Sequence, residues 1–275
     1  MGGFAAPAIY ALLIWWFTTG IILYLDGLAT RTFRLSMTGA TVMLVPAVYL
    51  LLTGRGDVSV SGSYVAFSTA IVIWGWIEMS FLMGFITGPR KSGCGAHCGG
   101  FEHFFHATEA IIYNELATLL ATAGILAATW HAPNRMALWT FLVLWTMRLS
   151  AKLNLFLGIR NLGEKFLPAH LQYLTCFFRR RPMNFLFPVS ISASTAVTGM
   201  LVQRFLASSD PFQCVSYALL TSLLGLGVIE HWFMVLPLPS EKLWAWAMQS
   251  NRDKSLNAGK MNNGGALSIQ PPRCD

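Results

Sequence analysis

The feature that most constrains this chain is a series of seven apolar stretches, each long enough to cross a bilayer. About 20 predominantly apolar residues are needed to span the hydrocarbon core as a helix. On that measure the stretches are residues 7–25, 34–53, 62–87, 101–130, 135–157, 184–206 and 211–237. Short polar breaks such as DGLATR, TGRGDVS, GPRKSGCGAHCGG, HAPN and SSDP separate most of them. Inside lipid every backbone group must be satisfied within the protein, and a helix does this within one segment. The expected fold is therefore all-α: a polytopic membrane protein with seven transmembrane helices in one domain over residues 1–249. Residues 250–275, rich in Asn, Gly, Ser and Lys and without apolar period, are expected to form a disordered tail.

Composition supports this and excludes other classes. Of the 275 residues 55% are hydrophobic and 11% charged, where a soluble domain carries about 25% charged residues. A pI near 9.4 does not imply nucleic acid, because the basic residues lie in the loops. With seven crossings, fourteen of the nineteen Lys and Arg fall on the side of the C-terminus, and only Arg55, Arg135 and Arg204 on the other. The positive-inside rule then puts the N-terminus in the periplasm and the C-terminus in the cytoplasm. The opening MGGFAAPAIY has no basic leader, so the first stretch is expected to remain as a helix. Five cysteines, an odd count, argue against a disulfide framework. Between the fifth and sixth stretches, residues 158–183 contain a segment with Phe166, Leu167, Leu171 and Leu174 on one face and Lys165, His170 and Gln172 on the other. It is expected to lie as an amphipathic helix at the interface.

Candidate functional residues are the ionisable groups inside the apolar stretches. Each costs about 2.5–3.5 kcal/mol by insertion scales and generally turns to a partner or a cavity. The densest set is FEHFFHATEAIIY, where Glu102, His106, Glu109 and Tyr113 share one helical stripe, His103 lies on an adjoining face and Glu115 points away. Glu78, Glu109 and Arg148 lie roughly 12–15 Å from the cytoplasmic ends of their helices, at about 1.5 Å per residue. Glu230 and His231 enter from the same end. Three readings are open. His103, His106, Glu109, Glu78, Glu115, Glu230 and His231 ligate iron or manganese, as carboxylates and imidazoles do in helical bundles. They hold a tetrapyrrole. Or Arg148, Lys152 and the histidines neutralise the glutamates in an ion-pair network. A separate, weaker metal candidate is Cys94, His97 and Cys98, which lacks the second half of a paired zinc motif. Arg148 and Lys152, one turn apart, are also candidates for an anion site; the other reading has Lys152 snorkelling to the interface and Arg148 pairing with a glutamate. Trp74, Trp76, Trp145 and Trp232 fall deep enough to face a ring-shaped pigment, or simply to pack. No phosphate loop, nucleophile elbow or dinucleotide fingerprint occurs, so no reaction is named and the balance leans away from an enzyme.

Longer motifs carry a resemblance. WWFTTGIILYLDGL (15–28), RTFR (31–34), WGWIEMSFLMGFITGPR (74–90), FLVLWTMRLSAKLNLFLGIRNL (141–162), FLPAHLQYL (166–174), FRRRPMNFLFPVS (178–190) and EHWFMVLPLP (230–239) resemble the PuhE family of photosynthetic complex assembly proteins of purple phototrophic bacteria. The similarity covers roughly residues 9–248. It implies a multi-pass protein of the bacterial inner membrane that supports assembly of the reaction centre and core antenna. It also implies an influence on bacteriochlorophyll supply. That bacteriochlorophyll or a precursor is bound, with His106 or His103 on its magnesium, is an expectation from the intramembrane charges alone. The implied partners are the lipid bilayer, reaction-centre or core antenna subunits and other assembly factors. The resemblance brings no catalytic residues, and residues 93–100 lie outside it. A metal-dependent oxidoreductase of pigment metabolism is the alternative.

Overall fold

The computed structural model describes residues 2–94, 98–237 and 240–247; His97 and the expected tail lie outside them. Seven long helices follow in order: α1 (Gly2–Asp26), α2 (Phe33–Gly54), α3 (Val60–Leu82), α4 (Gly100–Thr129), α5 (Met136–Leu157), α6 (Leu186–Ala207) and α7 (Pro211–Phe233). The described residues contain no β-strand, only one isolated bridge between Ile159 and Arg180. Six of the helices, all but α5, are long and apolar enough to cross a membrane. α5 carries both Arg148 and Lys152, which lower its hydropathy.

α3 is the centre of the bundle. Over half of its apolar stretch is buried inside the protein, against 6% for α6 and 11% for α2. α2, α5, α7, α1 and α4 all pack on it. One core layer joins Ala11, Phe67, Ile71, Met136, Leu219 and Leu223 from α1, α3, α5 and α7. Another joins Ile73 and Ile77 to Phe141 and Ile125, reaching α5 and α4. α2 and α6 are peripheral and show large apolar side chains outward, among them Leu35, Val45, Met200 and Leu206. A side chain so placed stands to face acyl chains or another subunit rather than water.

Four expectations need correction. The stretch 62–87 does not continue as one helix, because α3 ends at Leu82. Gly84 takes φ +82°, a left-handed value open to glycine, and the Ser80 carbonyl accepts from the amides of Phe85 and Ile86. The apolar sequence FLMGFIT hid this break from a hydropathy count. Likewise 211–237 stops at Phe233, where Met234 caps onto the His231 and Trp232 carbonyls. Residues 158–183 form 3-10 turns at Glu164–Phe166 and Ala169–Phe177 rather than an α-helix. Their faces are as expected, with Leu171 and Leu174 buried and His170 and Gln172 exposed. Cys176 is disulfide-bonded, which the odd cysteine count did not anticipate.

Asparagines tie the chain reversals. Asn134 starts α5 by accepting from the Met136 amide at 3.0 Å, while its own amide donates to the Asp57 and Gly62 carbonyls. At the other end, Asn184 accepts from the amides of Leu186 and Phe187 at the start of α6 and donates to the Gly158 carbonyl at 2.8 Å and to Asn154. Asn161 donates to the carbonyls of Phe233 and Leu236 beyond α7. Each side chain thus replaces partners that a helix end lacks. Asn184→Ala removes all of these at once, and a buried group left without a partner costs about 1–3 kcal/mol. A clear fall in melting temperature in detergent is expected, and an unchanged value would refute the role assigned to Asn184.

Candidate functional site

α4 has 30 residues, so it is about 45 Å long, roughly 15 Å more than a hydrocarbon core. Toward its N-terminal end α4 is packed by loops: Ala107, Ala110 and Ile111 meet Phe81 and Leu82, together with Leu171, Leu174 and Phe177 of the 3-10 segment and Cys94 of the loop before α4. The loop is fastened where the Thr87 carbonyl accepts from the amides of Tyr113 at 3.0 Å and Asn114 at 3.3 Å. Gly88 makes this approach available, since a Cβ there would lie 1.8 Å from the Glu109 carbonyl oxygen.

This geometry changes the setting of the polar stripe. Glu102 and Glu109 are exposed and His106 is half-buried; the inward face of α4 is instead His103, Ala110, Asn114, Thr118, Thr122 and Thr129. The neutral residues Asn114, Thr118 and Thr122, spaced by four, were the missed signal. The threonines return their hydroxyls to carbonyls one turn back, Thr118 to Asn114 and Thr122 to Thr118.

Glu78, Glu109, Glu115 and Glu230 do not converge with the histidines on one point; each has its own partner. Glu109 pairs with Arg90 at 3.0 Å and Glu115 with Lys152 at 2.6 Å. Glu78 pairs with Arg148 at 2.9 Å, with the Glu78 side chain 11% exposed. Glu230, exposed at the margin of α7, lies within electrostatic reach of Arg148 and has the Trp15 side chain as a hydrogen-bond partner. Both ring nitrogens of His231 are engaged, one by the Gly227 carbonyl at 2.9 Å and one by the Ser150 hydroxyl at 2.9 Å. His231 therefore joins α7 to α5 as a structural hydrogen-bonding group.

Two buried donors are left over next to the Glu78–Arg148 pair. Nε1 of Trp145 and Nε of Arg148 have no hydrogen-bond partner among the described residues. They are three residues apart on α5 and so share one face.

The histidines of α4 have different neighbours. His106 turns Nδ1 toward Cys98 Sγ at 3.2 Å and Cys94 Sγ at 3.4 Å, and Nε2 toward the Glu102 carboxylate at 3.9 Å. His103 Nδ1 lies 3.8 Å from Cys98 Sγ, and its ring packs against Phe156 and Phe177. The two thiols are free and 2.7 Å apart. Burial, and then the hydrogen bond with Cys98, push the Cys94 thiol up to about 11, so without a counter-cation it stays protonated at neutral pH. The sequence offered Cys94 and Cys98 as one metal candidate and His103 and His106 as part of another; the fold brings these four side chains together.

The architecture is that of an all-helical, multi-pass membrane protein, with charged pairs between its helices and a looped, basic end around the start of α4. The chain belongs to the DUF3623 family of proteins of unknown function, whose model matches residues 1–255. A relative from Rhodobacter capsulatus, described as an uncharacterized 30.4 kDa protein in the puhA 5'region, is 37% identical over 252 residues, covering 90% of this chain and 91% of its own length. No solved structure matches.

Arg148→Ala strands the Glu78 carboxylate between helices and is expected to lower stability by on the order of 3 kcal/mol. The combination of Glu78→Gln with Arg148→Met should recover most of that; thermal melting of both in detergent decides. Gly88→Ala drives a methyl group into the α4 backbone, so protease cleavage within residues 83–93 should rise sharply. Cleavage at the parent's rate would show that the loop does not depend on this contact.

Proposed function

We propose that this protein serves assembly of the bacterial photosynthetic reaction centre and core antenna, holding bacteriochlorophyll or a precursor beside α5. The relative's description as a protein in the puhA 5' region supports a photosynthesis-related role, and the motif resemblance supports the assembly role. The structural observation behind the ligand is the pair of unpartnered buried donors, Trp145 Nε1 and Arg148 Nε. A buried donor without an acceptor is costly, and native proteins rarely keep one without a use. Tetrapyrrole pigments carry keto, ester or carboxylate oxygens, which suit two N–H donors and a guanidinium already held by Glu78. His103 and His106 are turned to the thiols, so the reading rests on α5 and not on a histidine bound to magnesium.

In this reading α5 is the seventh crossing. Its cations are neutralised by Glu78 of α3 and Glu115 of α4, so neither charge meets lipid alone. The N-terminus is periplasmic, and the basic end, with Arg90, Lys91 and Arg179 to Arg181, faces the cytoplasmic surface of the inner membrane. The outward faces of α2 and α6 are where an antenna or reaction-centre subunit would dock. The oxidoreductase alternative requires those histidines and carboxylates around one ion, and the separate pairing of Glu78, Glu109, Glu115 and Glu230 removes support from it.

The test is absorption spectroscopy with magnesium analysis on protein purified in mild detergent from a pigment-making host. A near-infrared band with stoichiometric magnesium, or the spectrum of a metal-free precursor, is expected. Trp145→Phe should reduce the co-purified pigment about 2- to 10-fold, the worth of one hydrogen bond, while the melting temperature of the pigment-free protein holds. Parent protein that carries no pigment under these conditions defeats the proposal.

A further inference from the structure

The four groups at the start of α4 are a donor set on which none of the foregoing function depends. We propose that Cys94, Cys98, His103 and His106 form a closed four-ligand site for Zn2+, which clamps the loop before α4 onto the helix.

Chemistry and spacing support this from different directions. Two thiols and two imidazoles are the ligands of structural zinc sites, and soft sulfur donors select against magnesium, calcium and manganese. The cysteines follow a C-x-x-x-C spacing in the loop. The histidines, at i and i+3, stand on one side of the first turns of α4 and both present Nδ1. With Zn–S near 2.3 Å and Zn–N near 2.0–2.1 Å, a tetrahedron has S···N edges of about 3.6 Å. The observed edges are 3.2, 3.4 and 3.8 Å. The ligand atoms of Cys94, Cys98 and His103 all lie within 4.8 Å of one another, and so do those of Cys98, His106 and Glu102, so that Cys98 is shared by the two sets. The thiols, 2.7 Å apart, would separate by about 1 Å to reach a tetrahedral S···S edge; at 2.7 Å they are closer than two neutral thiols rest and well beyond the roughly 2.05 Å of a disulfide.

The surroundings orient the rings. His106 faces the Glu102 carboxylate through its other nitrogen, and the His103 ring hydrogen-bonds the Phe177 carbonyl. Such outer partners fix the tautomer and direction of a metal-binding imidazole. Two thiolates balance the ion's charge, so the centre is neutral and compatible with Arg90 and Arg179 nearby. Its place, between the Thr87–Gly88 contact and the 3-10 segment, makes it a second fastening of the same loop.

The decisive experiment is titration of the full-length, reduced protein in mild detergent with Co2+ and then Zn2+. Stoichiometric Co2+ with tetrahedral ligand-field bands and a thiolate charge-transfer band, both removed by Zn2+, is expected. Cys98→Ser and His106→Ala should abolish the charge-transfer band or displace its energy, whereas Cys214→Ser, at a free thiol on α7, should leave it intact. Glu102→Gln, which keeps all four ligands, should weaken Zn2+ about 10- to 100-fold. Zn2+ should raise the melting temperature of the parent and of Cys214→Ser alone. A parent without the charge-transfer band overturns the site, as does a band indifferent to Cys98→Ser. Formation of a Cys94–Cys98 disulfide under mild oxidant despite excess Zn2+ overturns it too.

Discussion

The rest of this structure depends on keeping backbone and charge satisfied where water is absent. A helix meets that demand along its length but not at its ends, and the ends around α5, α6 and the close of α7 are tied by asparagine side chains. Asn184 alone serves the start of α6, the end of α5 and Asn154. An amide can do this because it donates and accepts at once, which no serine or charged group in the same place does with equal reach. The helices can then be joined by tight, ordered reversals.

Charge is handled in the same way, by short pairs between neighbouring helices. α5 is the hub: Arg148 reaches α3, Lys152 reaches α4 and Ser150 meets His231 of α7. These three positions alternate around one helix and fix its rotation against three neighbours. Buried ion pairs of this kind add little net stability compared with apolar packing, but a wrong rotation would strand every one of them. Hydrophobic layers draw the helices together, and the polar contacts select one arrangement.

Much of this was legible in the sequence. Each of the seven long helices overlaps one of the stretches read from hydropathy, although α5 falls short of the hydropathy of a span and α3 and α7 end before their stretches do. The partners of the charges were less legible. The glutamates were expected to need cations, yet nothing local links Glu115 to Lys152, which are 37 residues apart. The break at Gly84 was hidden by apolar residues on both sides, and with it the fact that α4 outruns α3. Glu102 and Glu109, read as groups inside a span, lie on the exposed side of the stretch of α4 that the loops pack. For the same reason the thiols of one loop and the imidazoles of the next helix were read as separate candidates. Their proximity follows from the loop folding back through Thr87 and Gly88.

The low hydropathy of α5 has a consequence for how the chain enters the membrane. A helix bearing an arginine and a lysine near its middle partitions poorly into lipid by itself. Its counter-charges, Glu78 and Glu115, lie earlier in the chain, and so leave the ribosome before Arg148 and Lys152 do. If α5 crosses as proposed, the order of synthesis presents it with a ready-made polar seam, and its insertion is an act of docking onto α3 and α4 rather than an independent transfer into the bilayer.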